Sequence, residues 1–242
     1  MKRLNIDGYI IGEEDKWLYD LFEIPYVTLA KMRAFLIDAK EEDVEVVVNC
    51  FGGDVWAGAA MYDELRQYKG KTTARVVGLS ASASTFVMLG CDRVVSSPMA
   101  SYMIHNAATG AEGDYRVMEH TADLLKKIND AIVNAYEIKT GKSRDELKKY
   151  MDEETWMSAQ DALELGLVDE IDLKDGEKLS DIKPSAMAST KIAACFNPVK
   201  MHEMAEKFKP VENRGVSQPV SNTQTERFNS IRQKLTACKE GK

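Results

Sequence analysis

The chain of 242 residues is sparing with the residues that build staples and metal sites: it has four cysteines, three histidines and six prolines. Cys50, Cys91, Cys195 and Cys238 are widely scattered, with no C-x-x-C pair and no Cys/His cluster at zinc-ligand spacing. A disulfide framework and a zinc site are therefore excluded, no metal is expected, and the cysteines read as free thiols. No run approaches the roughly 18 consecutive apolar residues that a membrane helix needs. The opening "MKRLNIDGYIIGEEDKW" carries charge where a signal peptide would be apolar. No membrane association is expected, and the expected localisation is cytoplasmic. Neither G-x-G-x-x-G nor G-x-x-x-x-G-K-[ST] occurs, so nucleotide chemistry is not expected and no cofactor is implied.

What is present suffices for one well-buried domain and a further segment, with 44% hydrophobic residues. The net charge of −7 conceals an asymmetry: residues 1–175 carry 20 Lys+Arg against 32 Asp+Glu, whereas 176–242 carry 12 against 7. An acidic body argues against a nucleic-acid partner. Four of the six prolines lie beyond Asp175, and "NRGVSQPVSNTQT" separates two short helix-like stretches, 198–209 and 226–240. With few large apolar residues, 176–242 reads as a basic C-terminal extension, poorly structured or helical, flexible or partner-binding. The expected domain is 1–175.

Within that domain strand and helix patterns alternate, the mark of an α/β fold with a largely parallel sheet. "VEVVVN" (44–49) is a short β-branched apolar run, as a strand buried on both faces requires. "GGDVWAGAAMYDELRQY" opens on two glycines and becomes an amphipathic helix. "ARVVG" reads as the next strand, "TFVMLG" as helix, and "DRVVSS" and "SYMIH" as strands. Apolar residues from Val117 to Ile138 recur at helical spacing and stop at Gly141. "SRDE" (143–146) has the form of a capping box opening another helix, and a last helix runs from Ser158 to Gly166 before the strand-like "LVDEIDL".

Three features carry candidate chemistry. Ser80, Ser82 and Ser84 alternate in "GLSASAS", where a strand gives way to a helix whose free N–H groups and dipole favour developing negative charge. Positions two apart on a helix point about 200° from each other, so the three cannot share one face; the pattern alone leaves open a nucleophile, an N-cap or small packing residues. His105 closes "SYMIH" at the C-terminal edge of a strand, where catalytic groups collect in open α/β sheets, whereas His120 lies on the polar side of the long helix and His202 in the extension. Gly52-Gly53 follows a strand in the same way, and glycines there can aim backbone N–H groups at a ligand or simply turn the chain.

In order, "CFGGDVWAGAAMYDEL", "GLSASAS", "MIHNAATGAEG", "YEIKTGKSRDEL" and "ETWMSAQDALELGLVDEI" resemble the Clp protease proteolytic subunit (ClpP) superfamily over roughly residues 8–172, with phage and prophage head-maturation (prohead) proteases the nearest likeness through "ETWMSA". The resemblance implies the ClpP/crotonase-like α/β spiral of β-β-α units and serine endopeptidase activity. Its G-[LM]-A-A-S pattern implies Ser82 as nucleophile, its M-I-H motif His105 as general base, and its oxyanion hole the N–H groups of Gly53 and Ala83. Glu154 falls where the family has aspartate, with Asp152 as the alternative acid. It further implies a homo-oligomer, a heptameric ring or double ring held by the long helix and a strand-turn at "AATGAEGDYRV", with an ATPase unfoldase as a conceivable partner. Its substrates would be proteins or peptides, for the phage branch capsid and scaffold proteins. Two alternatives stand beside this: a catalytically silent ring or capsid-assembly subunit, and a crotonase-like acyl-CoA enzyme, which needs no Ser82–His105 pair.

Overall fold

The computed structural model describes residues 1–175 and 177–179, all within the unit Met1–His202. The helix-like stretches 198–209 and 226–240, with Cys195, His202 and Cys238, lie outside the described residues, as does nearly all of the extension.

Three long parallel strands form the centre: β1 (Lys2–Ile10), β3 (Val44–Gly53) and β4 (Thr72–Ala81). With β2 (Tyr26–Val27), β5 (Arg93–Ser96) and β8 (Glu170–Ile171) they follow the order β2-β1-β3-β4-β5-β8. β6 (Ser101–Ile104) pairs parallel with the end of β4, and β7 (Thr155–Ser158) pairs antiparallel with β6. Parallel neighbours require crossovers, supplied by α2 (Leu29–Ala39) after β2, α3 (Val55–Gln67) between β3 and β4, and α4 (Ala83–Leu89) between β4 and β5. α1 (Lys16–Leu21) lies between β1 and β2, and α5 (Tyr115–Thr140), α6 (Arg144–Asp152) and α7 (Ala159–Leu165) complete the described chain.

Caps set several helix starts. Thr28, Asp54, Asp114, Ser143 and Ser158 each accept from a backbone N–H of the first turn, worth about 1 kcal/mol apiece. The reciprocal capping box expected at Ser143 is only half made, its hydroxyl accepting from Glu146 N–H, while Ser158 and Asp161 form a full one. Gly141 and Gly166 close α5 and α7 in the left-handed conformation.

The core is continuous across the sheet and its helices: Ile6, Ile10, Val46, Val48, Met61, Leu65, Val76 and Met88 are buried together. Each such side chain contributes roughly 1.5–3 kcal/mol. Tyr136 and Tyr102 are also fully buried, and each hydroxyl has a partner, Thr85 and Ser96 respectively.

β4 is irregular where it matters most. Its register with β3 shifts between Val48↔Val76 and Cys50↔Ser80, so β4 bulges over residues 77–79. Asn49 fills the bulge: its Oδ1 accepts from Leu79 N–H at 3.2 Å, and a Cβ on Gly78 would sit 2.6 Å from that oxygen. Before the bulge β4 pairs with β5, after it with β6. Bulges redirect a strand and its side chains.

Two further expectations are corrected. The strand expected to end at Gly78 runs on to Ala81, because β6 offers it a second partner. The strand-turn expected in "AATGAEGDYRV" contains no strand in this chain; a loop leads to α5, whose N-cap is Asp114. The apolar stripe of α5 is buried only at Ile132, Val133 and Tyr136, while Val117, Leu124 and Ile138 are exposed.

Candidate active site

Ser82 occupies the turn between β4 and α4 with φ 55° and ψ −129°, a conformation that costs a non-glycine residue on the order of 1–3 kcal/mol. The turn is held from two sides: Ser82 N–H donates to the Met103 carbonyl at 2.8 Å, and Thr85 N–H donates to the Ser82 carbonyl at 2.9 Å. Although Ser82 is the N-cap of α4, its side chain makes no capping bond. The hydroxyl instead lies 2.7 Å from His105 Nε2.

His105 follows directly on β6, and the pairing of Ala81 with Met103 sets the two neighbouring strand ends side by side. Burial pushes its pKa below the ordinary histidine value, and the charge of Glu154 partly opposes this. The ring is therefore neutral at neutral pH, the state in which Nε2 can accept a proton.

The register of β7 explains why Glu154 comes near. Ile104 is opposite Thr155, so the next rung of that antiparallel ladder would set His105 against Glu154. Glu154 adopts φ 48° just beyond α6, a left-handed position that favours glycine and costs a glutamate about 1–2 kcal/mol. Among the described residues no hydrogen bond joins it to the ring, and its influence is through space. Asp152, the alternative acid, is exposed and accepts from Asn106 Nδ2 at 2.7 Å.

Gly52 (φ 88°) and Gly53 (φ 142°) lie at the end of β3 against this turn. A Cβ on Gly52 would stand 2.5 Å from the Ala81 carbonyl oxygen and 2.9 Å from Ala83 N, so the two backbones are in direct contact. At Gly53 a Cβ would stand 2.0 Å from the Ile10 carbonyl oxygen, which admits no larger residue. Ala83 is the first residue of α4, and its N–H has no intrahelical acceptor.

Ser80 and Ser84 are fully buried and hydrogen-bonded to each other, away from His105. Cys50 and Cys91 are free and buried; burial pushes the Cys50 thiol up to about 11, so it is no nucleophile at neutral pH. His120 is exposed on α5. The sequence assigns no role to Asn106 or Asn129: the first binds Asp152, and the second accepts from Ala107 N–H at 2.8 Å, fixing the loop after His105. Their only signal was Asn106 lying next to the histidine. Among the described residues no group of three or more His, Cys, Asp or Glu side chains could hold a metal, and no helix is long and apolar enough to cross a membrane.

A family model for Clp protease matches residues 27–174. The chain is 29% identical over 140 residues to an ATP-dependent Clp protease proteolytic subunit of Deinococcus radiodurans, covering 56% of this chain and 69% of that one. It is 32% identical over 126 residues to a protein of the same name from Pleurastrum terricola, covering 51% and 64%. Among solved structures, a point mutant of ClpP1 from Listeria monocytogenes shares the fold at a TM-score of 0.58 and 22% identity, over 72% of this chain and 92% of that one. The chain belongs to the Clp protease family, and its fold is the ClpP-like α/β fold.

Proposed function

We propose that this chain is a serine endopeptidase in which Ser82 is the nucleophile, His105 the general base and Glu154 the acid. The observation that carries the reading is the 2.7 Å contact between Ser82 Oγ and His105 Nε2, made by a serine whose hydroxyl is withheld from helix capping. Ser82 Oγ attacks the scissile carbonyl carbon as its proton passes to His105 Nε2. The oxyanion rests on the N–H groups of Gly53 and Ala83. His105 then protonates the departing amine, and water, deprotonated in turn by His105, releases the acyl group from Ser82. Glu154 stabilises the imidazolium that forms in each half.

The active species is a homo-oligomeric ring. Supporting this, the first half of α5 leaves the body with Tyr115, Val117, Met118 and Leu124 exposed, and both named relatives are subunits. Their names also include ATP dependence, which makes an ATPase partner part of the proposal. The natural substrates are capsid and scaffold proteins processed during phage head maturation, a reading supported by the "ETWMSA" likeness and by a basic segment beyond residue 175 suited to acidic partners.

Co-expression with neighbouring capsid proteins, followed by mass spectrometry, tests this. Wild type is expected to truncate a capsid or scaffold protein that the Ser82→Ala variant leaves intact. Fluorogenic peptides cleaved while every capsid protein stays whole would reject the head-maturation role and keep the peptidase. No cleavage of either would identify a silent ring subunit.

A further inference from the structure

Of the three alternating serines only Ser82 faces His105, yet Ser80 and Ser84 are fully buried in the layer beneath it. A buried hydroxyl left unpaired keeps the full cost of its lost hydration, so both need partners. Ser84 Oγ lies 3.0 Å from the Cys50 carbonyl oxygen of β3 and 2.9 Å from the Ala81 carbonyl oxygen of the nucleophile turn. Ser80 Oγ lies 3.1 Å from Ser84 Oγ. Counting protons sets the directions: the single Ser84 proton is shared between the two carbonyls, so Ser80 donates to Ser84.

These carbonyls belong to the two backbone segments that end in the oxyanion donors. Cys50 and Gly53 both lie in the last residues of β3, and the Gly52 N–H between them donates to Cys50 Sγ at 3.4 Å. Ala81 precedes Ala83 across Ser82. The segments already touch where Gly52 meets Ala81 and Ala83. Without a donor between them, the Cys50 and Ala81 carbonyl oxygens would confront each other as like partial charges.

We infer that Ser84, backed by Ser80, is a positioning residue for the oxyanion hole: its hydroxyl ties β3 to the nucleophile turn and so fixes the spacing between the N–H groups of Gly53 and Ala83. The inference rests on the reading of Ser82 as nucleophile. Oxyanion donors act only at the position that the transition-state oxygen takes up, and a misplacement of about 1 Å can cost on the order of a hundredfold in rate. Ser84 is thus expected to affect kcat and to leave KM nearly alone.

The test compares full-length wild type, Ser84→Ala, Ser80→Ala and the double variant for hydrolysis of a fluorogenic peptide, for inhibition by a peptide boronate and for thermal unfolding. Ser84→Ala is expected to lower kcat about tenfold to a hundredfold with KM within about twofold, and to weaken the boronate by a similar factor. Ser80→Ala, which removes only the backing bond, is expected to cost a few-fold in kcat. The double variant should fall no further than Ser84→Ala, because the two act through one hydroxyl. A folded Ser84→Ala protein whose kcat and boronate affinity match wild type, whatever its melting temperature, overturns the inference. If Ser84→Ala does not fold, Ser80→Ala decides: an unchanged kcat overturns it. A wild type that neither turns over nor accepts a fluorophosphonate on Ser82 removes the parent reading and this inference with it, an outcome distinct from an active enzyme indifferent to position 84.

Discussion

At the scale of single residues, His105 concentrates the chemistry. Its depressed pKa has two causes of opposite sign, burial lowering it and Glu154 raising it. The acid limb of kcat/KM should therefore lie below the ordinary histidine value of about 6.5. Glu154→Gln removes the raising influence, so that limb should move to still lower pH while kcat falls roughly tenfold to a hundredfold; Asp152→Asn should leave the limb in place. A pH–rate profile of the three proteins checks both statements, and a limb that moves with Asp152 instead would transfer the acid's role. The same shift acts on stability. Below the unfolded-state value the unfolded chain binds a proton that buried His105 does not, so this residue's contribution is present at neutral pH and is lost as pH falls from about 6.5 toward the depressed folded value. His105 and Gly53 were legible because the stretches around them read locally as strand ends. The alternation alone leaves the three serines open, and Ser82 follows only from the likeness to the family's G-[LM]-A-A-S pattern; the φ of 55° at Ser82 belongs to the folded turn and has no local sequence signal.

Elements place these residues, and there the sequence was readable where the signals were local. The end of α5 and both ends of α7 follow from Gly141, Ser158 and Gly166, evident as cap chemistry, whereas the N-cap Asp114 of α5 carries no such reading. β1, α2 and β7 escaped notice: β7 is four residues long and acquires its meaning from pairing with β6 across some fifty intervening positions. The bulge in β4 was equally hidden, because Asn49 and Gly78 meet only when two strands are in register. Gly53→Ala would drive a Cβ into the Ile10 carbonyl between β1 and β3. We expect it to lower stability by about 2 kcal/mol or more, read as a fall in the urea midpoint with an unchanged slope; an unaltered midpoint would mean that the strands part without penalty. A hydrogen-bonded chain also runs from the site into α5. The Thr85 hydroxyl donates to the Ser82 carbonyl at 2.7 Å, and the Tyr136 hydroxyl, 2.8 Å from Thr85, donates to it in turn. Tyr136→Phe removes the outer link and leaves the inner one. The expected loss is about 1 kcal/mol by chemical denaturation.

For the whole molecule, the first half of α5 is an exposed apolar surface. A helix of 26 residues buries only Ile132, Val133 and Tyr136 fully, packs Ile128 partly against the core and leaves Tyr115, Val117, Met118, Leu124 and Ile138 exposed, and apolar surface of that kind marks association. Its periodicity was plain in the sequence, but periodicity cannot tell a stripe buried within one chain from one buried between chains. Leu124→Glu is expected to dissociate the assembly while leaving the monomer folded, as measured by sedimentation and circular dichroism; an unchanged sedimentation coefficient would exclude this face from the interface. Fluorophosphonate labelling of the wild type, with peptide mapping of the adduct, tests whether Ser82 is the nucleophile and His105 its base. A single adduct on Ser82 is expected, lost in Ser82→Ala and nearly lost in His105→Ala. An adduct on another serine, or none on the assembled protein, would contradict these roles.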